Sequence, residues 1–476
     1  MRRYKACYVS MVMAMFLLQG CASNNNRDFL TIHYQRAAQL EAPDRNPVLV
    51  VPGLLGTTLR DTTSDRLIWG GFDGVSINPE RADGLRALAL PFEAAVDGRV
   101  NEDDGVEPTW VLERARVRLL GLPFNLNVYA GILQTLGAGG YRDESLGTAG
   151  VINYGPEHFT CFQFPYDWRR DIVESAQRLG AYIEEKATYV EEEYARRFGI
   201  TDQRVKFDIV AHSMGSLVVR YYLMYGTQDL PQDGSLPELT WAGAARVDQA
   251  VLVAPPNAGS TLTVRNLLNG LSLGFLQPTY SATLLGTYPS TYQLMPRRHL
   301  AAAVWEDSGE PVVDLLDPQV WSENGWGLAA AEADDELQIL LPNLAQPDDR
   351  RRAALSLQRR LLQRARHFQQ AIDRPAMPPT GLSIKLVIGD NHPTASQVTV
   401  SRDPARATVT EFGDGDGTVL RASALSDQRD DATWLPTLRT PLGFDQALFI
   451  QDTHKGLTDN STFTDNVLFW LLEDPR

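Results

Sequence analysis

The sequence has little cysteine and fewer basic than acidic residues. Its 476 residues include three cysteines, and 44 Lys and Arg stand against 59 Asp and Glu, giving a formal net charge of −15. This acidic excess argues against nucleic acid as a partner, since phosphate binding needs a basic surface. Cys7 lies in an N-terminal leader, so a disulfide framework is not expected. Cys161, alone in the body of the chain, is expected to be a buried free thiol.

The sequence lacks an apolar run long enough to cross a bilayer comfortably, and this includes the apolar part of the N-terminus. Residues 1–20 combine early basic residues with a short apolar stretch, which is typical of a secretory signal. Leu18–Cys21 resembles the lipobox of bacterial lipoproteins, which implies that Cys21 becomes a lipidated N-terminus and that residues 21–46 form a tether. Ala22, in place of Asp, favours the outer membrane of a Gram-negative cell envelope. A plain signal peptide cut nearby is the alternative.

Continuous apolar and β-branched runs in the body predict buried strands of a parallel sheet. These runs are Pro47–Val51, Val205–Val210, Ala250–Ala254 and Ile384–Ile388. Helical patterns lie between them, notably Asp171–Phe198, and this alternation predicts an α/β domain over residues 47–476. Residues 62–150 and 260–343 interrupt the alternation and are expected to be cap or lid insertions outside the carboxyl ends of the strands.

An arginine-rich helix is predicted over Asp349–Asp373, and it has two interpretations. Its arginines could form a basic patch that faces a membrane. Alternatively, its charged side is solvated and the helix packs on the core through Leu357, Leu361 and Phe368. The second interpretation is favoured.

Ala211–Gly215 (AHSMG) has the pattern of a nucleophile elbow between a strand and a helix. So tight a turn needs small residues two positions before and two after the serine, and Ala211 and Gly215 meet this need. The turn would hold Ser213 at the top of the sheet, where a helix N-terminus favours developing negative charge. An α/β-hydrolase fold with Ser213 as nucleophile is therefore predicted, and His212 is interpreted as structural.

A serine nucleophile needs a histidine base and an orienting acid, which follow the serine along the chain on this fold. His454, in a loop before a predicted terminal helix Phe463–Leu472, is the chosen base. His392, which follows a strand end, is its rival. His367 lies in the arginine-rich helix and His299 in an insertion, so neither is favoured.

Two aspartates compete for the role of the acid in the glycine-flanked loop Gly413–Val419, which follows the strand-like Thr408–Phe412. Asp416, immediately before Gly-Thr-Val, is preferred, and Asp414 is the fallback. The Asp-Gly-Asp-Gly pattern is also found in calcium loops, but the distal bidentate Glu is missing at the required offset. No metal or cofactor is expected.

The intermediate of acyl transfer also needs two N–H donors for its oxyanion. Met214, directly after the nucleophile, is expected to supply one. Leu54, in the loop Val51–Thr57 that follows the first strand, is expected to supply the other. The Pro-Gly turn in this loop could instead be only a strand terminator.

With these motifs in order, the chain resembles the lecithin:cholesterol acyltransferase family, which includes lysosomal phospholipase A2 and bacterial relatives. The matching segments are Pro47–Leu59 (PVLVVPGLLGTTL), Tyr166–Arg169 (YDWR), the Ser213 elbow, Ala254–Ser260 (APPNAGS), Gly415–Val419 (GDGTV) and the His454 loop. The resemblance implies the same triad and oxyanion donors, a supporting role for Tyr166–Arg169, and a mobile lid at Ser260–Pro289. Eukaryotic members carry a disulfide near a membrane-binding subdomain, and this chain lacks the cysteines for it.

These residues predict an enzyme that attacks a lipid ester, a phospholipid or glyceride, with Ser213 and passes the acyl group to water or to an alcohol. Hydrolysis is the default, because water needs no second binding site. Two other functions remain open. One is an envelope lipoprotein that binds lipids or a partner through a degenerate hydrolase fold, and the other is a serine peptidase or amidase. The apolar segment Leu267–Leu276 favours acyl chains over peptides.

Overall fold

The structure, a computed structural model, describes Tyr34 and residues 43–474, except for 72–76, 93–103, 113, 120–121, 128, 147, 150–151, 154–157, 273–277 and 430–434. The signal sequence and the lipidation site predicted at Cys21 lie outside the described residues. Within them, no helix is both long and apolar enough to span a bilayer.

Strands are found along the whole described chain. In chain order they are β1 (Val48–Val51), β2 (Thr57–Asp61), β3 (Leu67–Trp69), β4 (Val106–Val111), β5 (Arg114–Leu119), β6 (Leu122–Asn127), β7 (Thr148–Ala149), β8 (Ile152–Asn153), β9 (Cys161–Gln163), β10 (Phe207–His212), β11 (Val247–Val253), β12 (Leu271–Ser272), β13 (Thr279–Tyr280), β14 (Ala303–Trp305), β15 (Ser383–Gly389), β16 (His392–Arg402), β17 (Ala405–Gly415) and β18 (Gln446–Ile450).

Helices connect the strands. In chain order they are α1 (Ala82–Leu88), α2 (Ala130–Ala138), α3 (Ile172–Phe198), α4 (Met214–Tyr225), α5 (Thr261–Asn269), α6 (Ala282–Leu285), α7 (Pro289–Gln293), α8 (Pro318–Glu323), α9 (Asp334–Leu340), α10 (Pro347–Ile372), α11 (Arg421–Ala424) and α12 (Ser461–Leu472). Short 3₁₀ turns lie at Ala242–Ala245, Arg298–Leu300, Gly327–Ala329, Ala331–Ala333 and Gly456–Asp459.

A six-stranded sheet in the order β18-β15-β11-β10-β1-β9 forms the centre of the molecule. Every pair of neighbours in it is parallel. The carboxyl ends of parallel strands lie at one edge, which is where α/β sheets bind their ligands. The loop after β1, the turn after β10 and the loop after β18 therefore meet there.

Both faces of this sheet are buried. Successive residues of each strand point to opposite faces, and the two faces pack in different parts of the core. Leu49 and Ile209 pack with α3 and α4 on one face. Val48, Val50 and Val210 pack with α2 and α12 on the other. A parallel sheet covered by helices on both faces needs continuous apolar strands, and the sequence has them. The predicted α/β-hydrolase fold is confirmed.

The insertions predicted from the sequence contain regular structure of their own. Residues 62–150 supply β3 and β4 to an antiparallel sheet with β2, and they also contain the hairpin of β5 and β6. Residues 260–343 contain α5 to α9 and the strand β14, which pairs with β16.

The arginine-rich helix α10 packs on the core, as predicted. Leu357, Leu361 and Phe368 are buried in the same core as the sheet. Several of its arginines form ion pairs with other elements. These pairs are Arg350–Asp334, Arg364–Asp171 and Arg366–Asp314.

Cys161 lies in β9 as a buried free thiol, which confirms the expectation from the sequence. Burial raises the pKa of its thiol well above the ordinary value. The thiol donates to Asp143 Oδ2 at 3.4 Å, and it therefore packs as part of the sheet.

Candidate active site

Ser213 occupies a sharp turn between β10, which ends at His212, and α4, which begins at Met214. Its φ of 53° and ψ of −128° are strained values for a residue with a side chain, a conformation that costs about 1–3 kcal/mol and recurs at functional sites. The turn lies against the first strand: a β-carbon on Gly215 would be 2.3 Å from the carbonyl oxygen of Pro52. Steric exclusion therefore explains why the elbow pattern requires a small residue at position 215.

Ser213, His454 and Asp416 lie in consecutive hydrogen-bond contact. His454 Nε2 is 3.0 Å from Ser213 Oγ, and His454 Nδ1 is 2.8 Å from Asp416 Oδ2. The backbone N–H of His454 also donates to the carbonyl oxygen of Asp416 at 2.8 Å. The structure thus brings together the three residues chosen from the sequence, in the geometry of a nucleophile, its base and an orienting carboxylate.

Asp416 is almost completely buried and is held by its own loop. Its Oδ1 accepts N–H bonds from Thr418 at 2.9 Å and Val419 at 2.7 Å, which leaves Oδ2 for His454. Burial would raise the pKa of Asp416, but the charge of His454 and these hydrogen bonds outweigh it and hold the pKa below its ordinary range. The carboxylate is therefore ionised at neutral pH and can orient the imidazole.

The alternative residues are not hydrogen-bonded to Ser213 Oγ or to His454 in the described chain. Asp414 is exposed on β17, His392 begins β16, and His367 Nε2 is bonded to a backbone carbonyl at 2.6 Å. His299 lies in a 3₁₀ turn. Among the described residues, the imidazole that bonds to Ser213 is that of His454 alone, and no group of three or more His, Cys, Asp or Glu is arranged to hold a metal ion.

The loop after β1 faces the elbow through Gly53. A β-carbon there would be 2.7 Å from Ser213 Cβ, so only glycine fits. The N–H of Gly53 is already used, since it donates to Tyr129 Oη at 2.7 Å. The next N–H, that of Leu54, has no partner among the hydrogen bonds of the described chain. Met214 is the first residue of α4, where an N–H has no acceptor within the helix. Both predicted oxyanion donors are therefore available.

Two side chains of the YDWR segment hold the loop after β1 from behind. Tyr166 Oη donates to the carbonyl oxygen of Pro52 at 2.9 Å, and Trp168 Nε1 donates to that of Thr57 at 3.1 Å. Both rings are buried. They fix the two ends of the loop, in agreement with the supporting role that the resemblance implies.

The other two residues of this segment belong to a buried ion network. Arg169 contacts Asp167 at 2.7 Å and Asp104 at 2.8 Å, and its Nη1 donates to the carbonyl oxygen of Leu88 at 3.0 Å. Burial would raise the pKa of Asp167, but the neighbouring guanidinium of Arg169 outweighs it and lowers the pKa. The network joins the YDWR turn to the end of α1.

Sequence reasoning missed two residues beside this site. Tyr129 contacts both Gly53 N and His212 Nδ1, but it lies in the insertion over residues 62–150, and no motif marks it. Gly389, at the end of β15, lies directly against Asp416. Its position at the carboxyl end of a predicted strand is a signal that could have identified it.

The segment expected to form a lid begins beside the acid loop. Ser260 Oγ donates to the carbonyl oxygen of Thr418 at 2.8 Å, and α5 starts at the next residue. The apolar stretch Leu267–Leu276 runs from α5 into residues 273–277, which lie outside the described residues. The base of this segment is therefore fixed beside the triad, and the lid role stays a prediction.

Residues 127–324 match the family model described as lecithin:cholesterol acyltransferase. The resemblance to this family is confirmed. The matched span includes Tyr166–Arg169 and the Ser213 elbow, whereas Asp416 and His454 follow it in the chain. The lecithin:cholesterol acyltransferase match supports a lipid acyl hydrolase or acyltransferase in general terms.

Two solved structures are similar to the chain. The crystal structure of the Tle4–Tli4 complex is 14% identical, covers 90% of this chain and 98% of its own, and has a TM-score of 0.51, so it shows a shared fold. A gene product from Listeria innocua is 11% identical and covers 91% of this chain and 96% of its own, with a TM-score of 0.27. No curated protein matches the chain.

Proposed function

We propose that the protein is a serine-dependent lipid acyl hydrolase or O-acyltransferase that works through an acyl-enzyme on Ser213. One observation carries the proposal: Ser213 Oγ, both nitrogens of His454 and Asp416 Oδ2 form a hydrogen-bonded series with separations of 3.0 and 2.8 Å. Such a series turns a weak hydroxyl nucleophile into an effective one.

The first half of the reaction transfers the acyl group to the enzyme. His454 Nε2 removes the hydroxyl proton as Ser213 Oγ attacks the ester carbon. The electrons of the carbonyl double bond move to its oxygen, which accepts hydrogen bonds from the N–H groups of Leu54 and Met214. The intermediate then collapses: the carbonyl re-forms, the bond to the departing alcohol breaks, and that alcohol takes the proton from His454. Asp416 stabilises the imidazolium in between.

The second half returns the enzyme to its starting state. His454 removes a proton from water or from an alcohol, whose oxygen attacks the acyl carbon, and Ser213 leaves with the proton. Hydrolysis is the default, because water reaches the site without a binding site of its own. The family match to lecithin:cholesterol acyltransferase supports a lipid ester as substrate and an alcohol as the second acceptor.

The test uses the full-length protein in detergent with a fluorophosphonate probe and phosphatidylcholine vesicles. Wild type should be labelled and should release fatty acid, whereas Ser213→Ala and His454→Ala should do neither. Ser216→Ala is the matched control, because Ser216 lies one turn further along α4 and donates to the carbonyl oxygen of Ala211. Acyl ester formed with an added alcohol would identify a transferase. Cleavage of peptide amides but not esters would overturn the proposal.

We also propose that the body is held at the outer membrane of a bacterial cell envelope by lipid on Cys21. The lipobox-like Leu18–Cys21 supports this location. In cells fed labelled palmitate, the wild type and Cys7→Ala should carry the label and sediment with outer membranes. Cys21→Ser should lose the label. Equal labelling of Cys21→Ser would refute the anchor and leave the enzymatic proposal untouched.

A further inference from the structure

A chain of three hydrogen bonds, two buried and one partly buried, connects the oxyanion loop to the histidine loop. Gly53 N–H donates to Tyr129 Oη at 2.7 Å, Tyr129 Oη lies 3.1 Å from His212 Nδ1, and His212 Nε2 lies 3.1 Å from the carbonyl oxygen of His454. Tyr129 and His212 are both almost completely inaccessible to solvent. Neither side chain bonds to Ser213 Oγ, so the chain of bonds passes behind the triad.

The chemistry of the end groups sets the direction of every bond. The carbonyl oxygen of His454 can only accept, so His212 Nε2 carries the proton. A neutral His212 then has a lone pair on Nδ1, which accepts the hydroxyl proton of Tyr129. Burial, followed by the neighbouring His454, lowers the pKa of His212 to about 3, so the ring stays neutral across the working range. Each donor in the series thus has one acceptor.

The same bonds fix the backbone of His454 from both sides. Its N–H donates to the carbonyl oxygen of Asp416 at 2.8 Å, and its own carbonyl oxygen accepts from His212. The imidazole of His454 therefore projects from a backbone segment whose N–H is held by Asp416 and whose carbonyl oxygen is held by His212. The ring centroids of His212 and His454 are 4.7 Å apart, which leaves no room for another group between the two rings.

We propose that Tyr129 and His212 are positioning residues. They hold the oxyanion loop in a fixed position relative to His454, so that Leu54 N–H and His454 Nε2 act on the same ester group. This inference rests on the proposed function. Both side chains act through Leu54 and His454, so the loss of either is expected to affect the chemical step. Substrate affinity depends on other surfaces and should not change.

The experiment compares Tyr129→Phe, His212→Phe and the double variant on a water-soluble p-nitrophenyl ester, so that binding to a lipid surface does not enter. Each single variant should lower kcat about 10- to 100-fold, as displacement of a catalytic group by up to an ångström does. KM should stay within about twofold. The double variant should be no slower than the slower single variant, because both break the same series of bonds.

Tyr225→Phe is the matched control. It removes a buried hydroxyl bond, from Tyr225 Oη to the carbonyl oxygen of Ala371 at 2.8 Å, at the other end of α4 from the elbow. It should lose less thermal stability than Tyr129→Phe, whose hydroxyl takes part in two hydrogen bonds, and it should keep the wild-type kcat. The proposal would be overturned if the kcat losses of the two single variants multiply in the double variant. It would also be overturned if Tyr129→Phe keeps the wild-type kcat.

A second measurement does not depend on turnover. In two-bond ¹H–¹⁵N spectra of Ser213→Ala with labelled histidine, His212 should show the neutral Nε2–H tautomer at pH 7 and pH 5. A protonated or Nδ1–H ring would refute the series even if the variants did not fold. A wild type that neither turns over the ester nor reacts with fluorophosphonate would instead contradict the proposed function, and the spectra would still decide the positioning series.

Discussion

Gly389 lies directly against Asp416: a β-carbon on Gly389 would lie 2.3 Å from Asp416 Cβ and 3.1 Å from its Cα. The end of β15 therefore limits how closely the acid loop can approach the sheet. Since Asp416 orients His454, this contact also affects the position of the His454 imidazole.

Gly389→Ala should move the acid loop outward and lower kcat about 100-fold, which is the effect of misplacing a catalytic group by an ångström. Steady-state kinetics on a soluble ester would measure it. Gly413→Ala is a suitable control, because the nearest atom to its new β-carbon would be the end of the flexible Leu420 side chain at 3.2 Å. Equal activity of the two variants would refute this role for Gly389.

The two aspartates of the Gly413–Val419 loop can be separated by amide substitutions. Asp416→Asn keeps the shape but removes the charge that stabilises the imidazolium and sets the tautomer of His454, so kcat should fall about 10⁴-fold. Asp414→Asn should have no effect, because Asp414 is exposed on β17. The rate of fluorophosphonate labelling should likewise fall in Asp416→Asn and stay unchanged in Asp414→Asn. A large loss in Asp414→Asn alone would reverse the assignment.

His212 should make stability depend on pH. Its folded-state pKa, about 3 because of burial and the nearby His454, lies below the ordinary value. The stability that the neutral ring provides is therefore complete above about pH 6.5 and is lost as pH falls towards the folded-state pKa. At pH 5 the loss is about 2 kcal/mol.

Urea unfolding at pH 7 and pH 5 would measure this dependence. The free energy of unfolding should fall by about 2 kcal/mol more in the wild type than in His212→Gln, which cannot titrate in this range. Tyr225→Phe should keep the wild-type difference between the two pH values. If His212→Gln also keeps it, another group is responsible.

Arg169→Met should destabilise the protein by about 3 kcal/mol, because it removes one of the two guanidinium groups that pair with the buried carboxylates of Asp167 and Asp104 and leaves them to Arg170 alone. Urea unfolding would measure the loss. Arg352→Met is the comparison, since its pair with Asp349 lies on the exposed side of α10 and should contribute little. Comparable losses of unfolding free energy in Arg169→Met and Arg352→Met would mean that the buried network contributes no more stability than an exposed ion pair.

Much of the central sheet was predictable because buried parallel strands need continuous apolar runs. Four such runs correspond to β1, β10, β11 and β15, with ends that differ by a few residues. The edge strands β9 and β18 were missed, since Cys161–Gln163 is too short for a pattern and Gln446–Ile450 is only partly buried. Ser213, Asp416 and His454 were found because each lies in a compact local motif. Tyr129 was not, because its contacts arise only when distant segments come together.

Leu112 and Tyr129, on either side of the β5–β6 hairpin, are both hydrogen-bonded to the loop after β1. Leu112 N–H donates to the carbonyl oxygen of Gly56 at 2.9 Å, and Tyr129 Oη accepts from Gly53 at 2.7 Å, so both ends are fixed to the loop after β1. A displacement at either attachment point would therefore reach the oxyanion loop, because both hydrogen bonds end on that loop.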